Sequence, residues 1–172
     1  MKRFTRTYAI IHLDALHANI RQAKERVGDN VKIMAIVKAD AYGHGAIEVA
    51  KAIKDEVYGF AVATAREAIE LREHGINNMI LVLGYVCKAE YEEAIRNRIT
   101  FAMLSEEMAK EVSECAVQMN ESASCHIKIN TGMNRIGFAA GCPDLTAREF
   151  SCILQLRIQA IRLFHIYSLK DS

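Results

Sequence analysis

Lys38 closes the apolar run Ile33-Met34-Ala35-Ile36-Val37 and opens the segment Ala39-Asp40-Ala41-Tyr42-Gly43-His44-Gly45. A lysine directly after such a run stands at the C-terminal end of a strand, where parallel α/β folds gather their active-site groups. If its surroundings depress its pKa, the amine could form a Schiff base with a carbonyl cofactor. The plain alternative is a solvating surface lysine. Tyr42 adds an aromatic face and a hydroxyl, while Gly43 and Gly45 would let backbone N–H groups approach a ligand closely. The same glycines also suit an ordinary turn before a helix, and His44 is read as structural.

A second cluster, from Lys128 to Phe138, follows another apolar run and contains Asn130-Thr131-Gly132-Met133-Asn134-Arg135-Ile136-Gly137. The planar guanidinium of Arg135 could donate two hydrogen bonds to a phenolate or carboxylate oxygen, or form a structural ion pair. Lys128 reads as a partner in a buried ion pair, and Met133 as core filler. His165 lies in Leu163-Phe164-His165-Ile166-Tyr167-Ser168, after the last apolar run. It is either a hydrogen-bonded core residue or a third member of the face that carries Lys38 and Arg135.

These residues need elements to hold them. Runs rich in Val, Ile, Phe and Tyr span Val31 to Val37, Tyr58 to Ala63, Met79 to Leu83, Ile99 to Leu104, Ser124 to Ile129 and Leu156 to Ser168. They predict strands. Most lack polar alternation, as strands covered on both faces do. Between them lie helical stripes at Leu16, Ile20, Ala23 and Val27, at Ala46, Val49, Ala50 and Ile53, and at Met108, Val112, Cys115, Ala116 and Met119. Thr64 to Glu67 fits a capping box with Gly75 as the stop, Ser105 fits an N-cap, a weaker helix follows Lys88, and Thr146 to Glu149 could cap a sixth. Strand and helix alternating in this way predict an α/β fold with a parallel sheet, open or closed into a barrel, in one domain.

The composition suits such a domain. The chain has 172 residues, 51% of them hydrophobic and 25% charged, with 22 Lys plus Arg against 21 Asp plus Glu. So even a balance offers no field for nucleic acid or an anionic membrane, which leaves a small molecule as the expected partner. The five cysteines are scattered without metal-binding spacing and read as reduced, mostly buried thiols. No signal peptide or membrane-length apolar stretch is read, and a cytoplasmic location is expected.

The run Val37-Lys38-Ala39-Asp40-Ala41-Tyr42-Gly43-His44-Gly45 matches the cofactor-lysine signature of alanine racemases at every position. The chain resembles that family from about Tyr8 to Phe138, with support from Tyr58 to Thr64, Glu67-Ala68, Leu71-Arg72 and Lys128 to Gly137. The resemblance implies a (β/α)₈ TIM-type barrel holding pyridoxal 5′-phosphate in its mouth, followed by a C-terminal β domain. About six βα units are expected here, as an incomplete N-terminal barrel. It also implies an isomerase that interconverts L- and D-alanine for peptidoglycan synthesis, as a homodimer.

By the same resemblance Lys38 would hold the cofactor and act as the base on one face of the substrate, and Tyr42 would help hold the phosphate. Arg135 would contact the cofactor's phenolic oxygen and the substrate carboxylate. Lys128 matches a lysine that is often carbamylated and orients that arginine, and His165 would lie against the pyridine ring. In the family the opposite-face base is a tyrosine from the C-terminal part of a partner subunit, beyond the segment matched here. These 172 residues by themselves are therefore expected to be inactive. Two departures stand out: Asn130 replaces the more usual Asp, and Arg162 and Phe164 interrupt the pattern around His165. The readings weighed against a racemase are a non-racemising carrier or regulator of the same barrel type that binds pyridoxal phosphate, and a product without activity.

Overall fold

The computed structural model describes residues 8–139 and the backbone of residues 158–164. The expected sixth helix after Thr146, His165, Cys142 and Cys152 lie outside the described residues. Among the described residues seven parallel strands form the sheet: β1 Met34–Ile36, β2 Gly59–Val62, β3 Met79–Val82, β4 Thr100–Met103, β5 Ala123–Asn130, β6 Phe138–Ala139 and β7 Ile158–Phe164. Strands β1 to β6 are neighbours in chain order, and β7 also pairs with β5, over Ala123 to Lys128. Six of the seven match the predicted runs. The exception is β6, whose two residues pair with Ile129 and Asn130 at the end of β5 and are too short to leave a hydrophobic pattern.

Among the described residues five right-handed α-helices flank the strands: α1 Leu13–Val27, α2 Ala46–Ile53, α3 Ala65–Glu73, α4 Tyr91–Arg96, preceded by a 3₁₀ turn at Lys88–Glu90, and α5 Glu106–Gln118. Local chemistry sets their ends. Thr64 accepts the Glu67 N–H while Glu67 reaches back to the Thr64 N–H, which starts α3. At its other end Gly75, at φ 82°, donates to Arg72 O and Ile76 donates to Leu71 O, a closure that needs a left-handed residue at Gly75. Ser105 caps α5 by accepting the Met108 N–H at 3.2 Å.

Alternate strand residues serve two layers, as predicted for a sheet covered on both faces. Phe60, Val62, Ile80, Val82, Phe101 and Met103 face a large core with Val49, Ala68, Leu71, Ile95 and Val112 from the helices. Tyr91 stacks edge-on against Phe101, with ring centroids 6.0 Å apart. Ala61, Leu81 and Ala102 form the smaller core on the other side, flanked by Met34, Met79, Leu83 and Leu104. Of the described cysteines Cys125 is buried as expected, whereas Cys115 is half-buried and Cys87, in the loop before α4, is exposed.

Candidate active site

All strands run parallel, so Lys38, two residues after β1, and Arg135, five residues after β5, leave the sheet at the same end. Val37 extends the ladder by donating to Ala61 O at 2.9 Å, and Lys38 follows it half-buried. The backbone then enters a left-handed helical turn over Lys38–Gly43, with φ of 51°, 53°, 51° and 55° at Ala39, Asp40, Ala41 and Tyr42. The ordinary turn that the glycines also suited is therefore not what forms here. Left-handed geometry brings Cβ close to the following carbonyl and costs about 1–2 kcal/mol per non-glycine residue, so four in succession need support from outside. Strain of this kind gathers at functional sites.

That support is a set of hydrogen bonds. Ala41 N–H donates to Val37 O at 2.9 Å, His44 N–H to Ala41 O at 3.1 Å and Gly45 N–H to Asp40 O at 3.0 Å. Side chains complete the set. Asp40 Oδ1 accepts the Ala46 N–H at 2.7 Å, at the start of α2, and His44 Nδ1–H donates to Ala41 O at 2.8 Å. His44 thus has the structural role read for it. Glu67 Oε1, from α3, accepts the Ala39 N–H at 2.7 Å.

The turn places Lys38 Nζ 5.9 Å from the centroid of the Tyr42 ring, which is 62% exposed. Among the described residues Lys38 makes no ion pair, so its amine has no carboxylate partner to hold it.

The second cluster is built on Asn130. Its Oδ1 accepts the N–H groups of Gly132 at 3.3 Å and Asn134 at 2.9 Å, folding the loop that presents Arg135. Gly137, at φ 110°, lies so close to β5 that a Cβ there would sit 2.5 Å from Lys128 O. Arg135 is exposed, and its guanidinium donates to the Met133 sulfur at 2.9 Å. Met133 is itself exposed, so it is not the core filler expected. Lys128 is half-buried, and burial first, then the charge of Arg135, hold its amine below the ordinary lysine range. The ion pair expected for Lys128 is corrected, since the charge that acts on it among the described residues is another cation. Lys128 and Arg135 form one pair and Lys38 and Tyr42 another, with no hydrogen bond between the two pairs among the described residues.

Two residues that hold the site were not found from the sequence as such. In the sequence Asn130 stands out as a member of the second cluster and a departure from the family pattern, and Glu67 as half of a capping box and part of the resemblance; neither position marks the bonds that the side chain makes. Neither signal is local, because each role depends on what the side chain reaches. Among the described residues no cluster of His, Cys, Asp and Glu could hold a metal ion, and no helix is long and apolar enough to cross a membrane.

Residues 11–167 match the family described as alanine racemase, N-terminal domain. "Alanine racemase 2" of Caldanaerobacter subterraneus subsp. tengcongensis is 42% identical over 159 residues, which cover 92% of this chain and 40% of that protein. Among solved structures, an alanine racemase of Clostridium difficile 630 aligns at a TM-score of 0.86 and 40% identity, over 94% of this chain and 42% of that one. The alanine racemase of Bacillus anthracis solved with bound L-Ala-P aligns at 0.74 and 29%, over 87% of this chain and 39% of that one. The chain thus spans about two fifths of the length of these relatives. The match of sequence and of a parallel TIM-barrel-like sheet covers most of the chain, which belongs to the alanine racemase family and corresponds to its N-terminal domain.

Proposed function

We propose that this chain carries the cofactor lysine of a pyridoxal-phosphate-dependent alanine racemase, with Lys38 as the attachment point and as the acid–base group on one face of the substrate. The observation that carries this reading is the lysine itself. It follows the half-buried strand β1 by two residues, has no carboxylate partner among the described residues and is presented by a strained, externally braced turn. An amine kept out of ion pairs beside an aromatic ring fits attack on a carbonyl. The cofactor, when bound, supplies a conjugated electron sink for the charge left as the α-proton departs.

The remaining chemistry belongs to the chain. Lys38 Nζ takes and returns a proton at the α-carbon on its own side, which requires the neutral amine at one point of the cycle and the ammonium at another. Tyr42 offers its hydroxyl to the phosphate, and its ring limits where the lysine head can swing. The Arg135 guanidinium can exchange its contact with the Met133 sulfur for two charge-assisted bonds to a phenolic or carboxylate oxygen. Lys128, whose amine pKa burial and Arg135 lower, is suited to add carbon dioxide through its unprotonated amine, releasing one proton and leaving an anionic carbamate, and so turn a repulsive neighbour of Arg135 into an attractive one. His165 is proposed for the pyridine face from sequence alone. A second acid–base group, on the opposite face, is not assigned among the described residues. The substrate is proposed to be alanine, the full-length assembly a homodimer, and its place the cytoplasm, in the supply of D-alanine for peptidoglycan.

The test is direct. Pyridoxal phosphate added to the purified chain should give the visible absorbance of a lysine-linked cofactor, and Lys38→Ala should abolish it. A band of equal strength in the mutant would assign the reaction to surface lysines and end this reading.

A further inference from the structure

We propose that Glu67 is a positioning residue for Lys38: its carboxylate bridges two strand ends and fixes the left-handed turn that aims the lysine. The proposal rests on the reading of Lys38 as the cofactor lysine. Within α3, Glu67 completes a capping box, and one oxygen suffices for that. Oε2 accepts the N–H of Ala63 at 2.7 Å and of Thr64 at 3.1 Å, both at the junction between β2 and α3. Oε1 turns away from its own helix and accepts the N–H of Ala39 at 2.7 Å, across 28 residues of sequence.

Ala39 is the residue after Lys38 and the first left-handed position of the turn. Its N–H belongs to the peptide unit that carries the Lys38 carbonyl. Fixing that N–H therefore fixes the plane from which the lysine side chain departs. The carboxylate suits the task because it only accepts, so each oxygen can face a donor without a competing proton. It also joins two neighbouring strands at their C-terminal ends, since Ala63 follows β2 and Ala39 follows β1, and these strands pair in register. The turn is otherwise tied to β1 and α2 by contacts from its own segment, such as Ala41 to Val37 and Asp40 to Ala46.

Glu67→Gln separates positioning from helix capping. The amide has one accepting oxygen and one donating nitrogen. If the oxygen keeps the two donors at Ala63 and Thr64, the NH₂ faces the Ala39 N–H, and two donors oppose each other. Thr64→Ala is the complementary control. It removes the hydroxyl that accepts the Glu67 N–H at 3.3 Å, weakening the same helix start, and leaves the carboxylate clasp in place.

The purified chain is treated with pyridoxal phosphate, reduced with borohydride and mapped by peptide mass, giving a labelling rate for Lys38 apart from the other lysines. Amide hydrogen exchange of residues 39–45 is read on the same variants without cofactor. Glu67→Gln should slow labelling of Lys38 by about tenfold or more and leave other lysines unchanged, since small displacements of a reacting group carry penalties of this size. It should also speed exchange in the turn by about tenfold, as expected when a charge-assisted bond is lost. Thr64→Ala should do neither. Glu67→Asp, which keeps the charge but is one methylene too short to reach Ala39, should behave as Glu67→Gln and serves if the amide variant does not fold. Labelling of Lys38 at the wild-type rate in the Glu67 variants overturns the proposal, whatever the exchange shows. If the wild-type chain shows no preference for Lys38, the cofactor reading falls by itself. Exchange alone then decides the clasp: an unchanged turn overturns it, and a loosened turn upholds it.

Discussion

Asp40 Oδ1 accepts the backbone N–H of Ala46 at 2.7 Å, so one residue of the left-handed turn also starts the helix that follows it. Asp40 holds φ at 53°, a region that Asp and Asn tolerate better than most residues with a Cβ. Its carboxylate accepts one of the amide protons that every helix N-terminus leaves without an intrahelical partner.

Asp40→Ala should cost about 1–2 kcal/mol, the usual loss for an N-terminal cap. For a chain of this size the melting midpoint should fall by roughly 2–8 °C. Asp40→Asn should stay close to the wild type, because its amide oxygen still accepts and Asn still tolerates the backbone. Thermal unfolding followed by circular dichroism checks both, and equal destabilisation by Ala and Asn would refute the capping role.

Arg72 does at the opposite end of the sheet what Glu67 does at this one. Its Nε–H donates to Asn97 O at 2.9 Å, and its terminal nitrogens donate to Ile76 O, Asn78 O and Arg98 O. One guanidinium thus ties together the turns leading into β3 and β4. Arg72→Met would strand several of those carbonyls, at a cost of about 2–4 kcal/mol. Arg72→Lys should recover only part of the loss, because an ammonium cannot reproduce the planar fork. The urea midpoint should fall with little change in slope, while labelling of Lys38 in the folded protein stays at the wild-type rate. A change in that rate would mean that the two ends of the sheet are coupled.

Much of this arrangement is written locally in the sequence. Phe60, Ala61 and Val62 form an unbroken apolar run because both faces of β2 are covered, and Thr64, Glu67 and Gly75 mark α3 at the spacing that its caps require. Lys38 is visible because it interrupts hydrophobicity at a strand end. The left-handed turn is not visible, since of Ala39 to Tyr42 only Asp40 tolerates a positive φ well and the glycines come only afterwards. The reach of Glu67 to Ala39 and the proximity of Arg135 to Lys128 are products of folding, which no spacing rule encodes. The exposure of Cys87 depends on loop placement in the same way.

Burial pushes the Cys125 thiol up to about 12, from an ordinary thiol value of 9.0. The folded state therefore keeps its proton between about pH 9 and 12, where the unfolded state has lost it. Because the unfolded state then binds fewer protons, this group's contribution to stability is complete below pH 9 and declines as pH rises through that window. Reaction with a thiol reagent at pH 8, mapped by peptide, should modify exposed Cys87 first and Cys125 only on unfolding. Prompt modification of Cys125 in the folded chain would contradict its burial in the sheet.

Lys128 gives the complementary case, because its amine lies below the usual lysine range through burial first and Arg135 second. A depressed lysine binds fewer protons folded than unfolded just below pH 10.5, so stability gains from this group as pH rises into that window and loses as pH falls through the folded pKa. Removing the neighbouring charge with Arg135→Ala should raise the Lys128 pKa only partway, since the burial that dominates the shift remains. Reductive ¹³C-methylation of the lysines, with the Lys128 signal assigned by Lys128→Arg and followed against pH, measures this directly. Arg135→Lys, which preserves a positive charge but not the fork, should leave the Lys128 titration nearer the wild type than Arg135→Ala does. A Lys128 titration identical in all three proteins would show that Arg135 does not act on it. The carbamate proposed at Lys128 would then have no cation to orient.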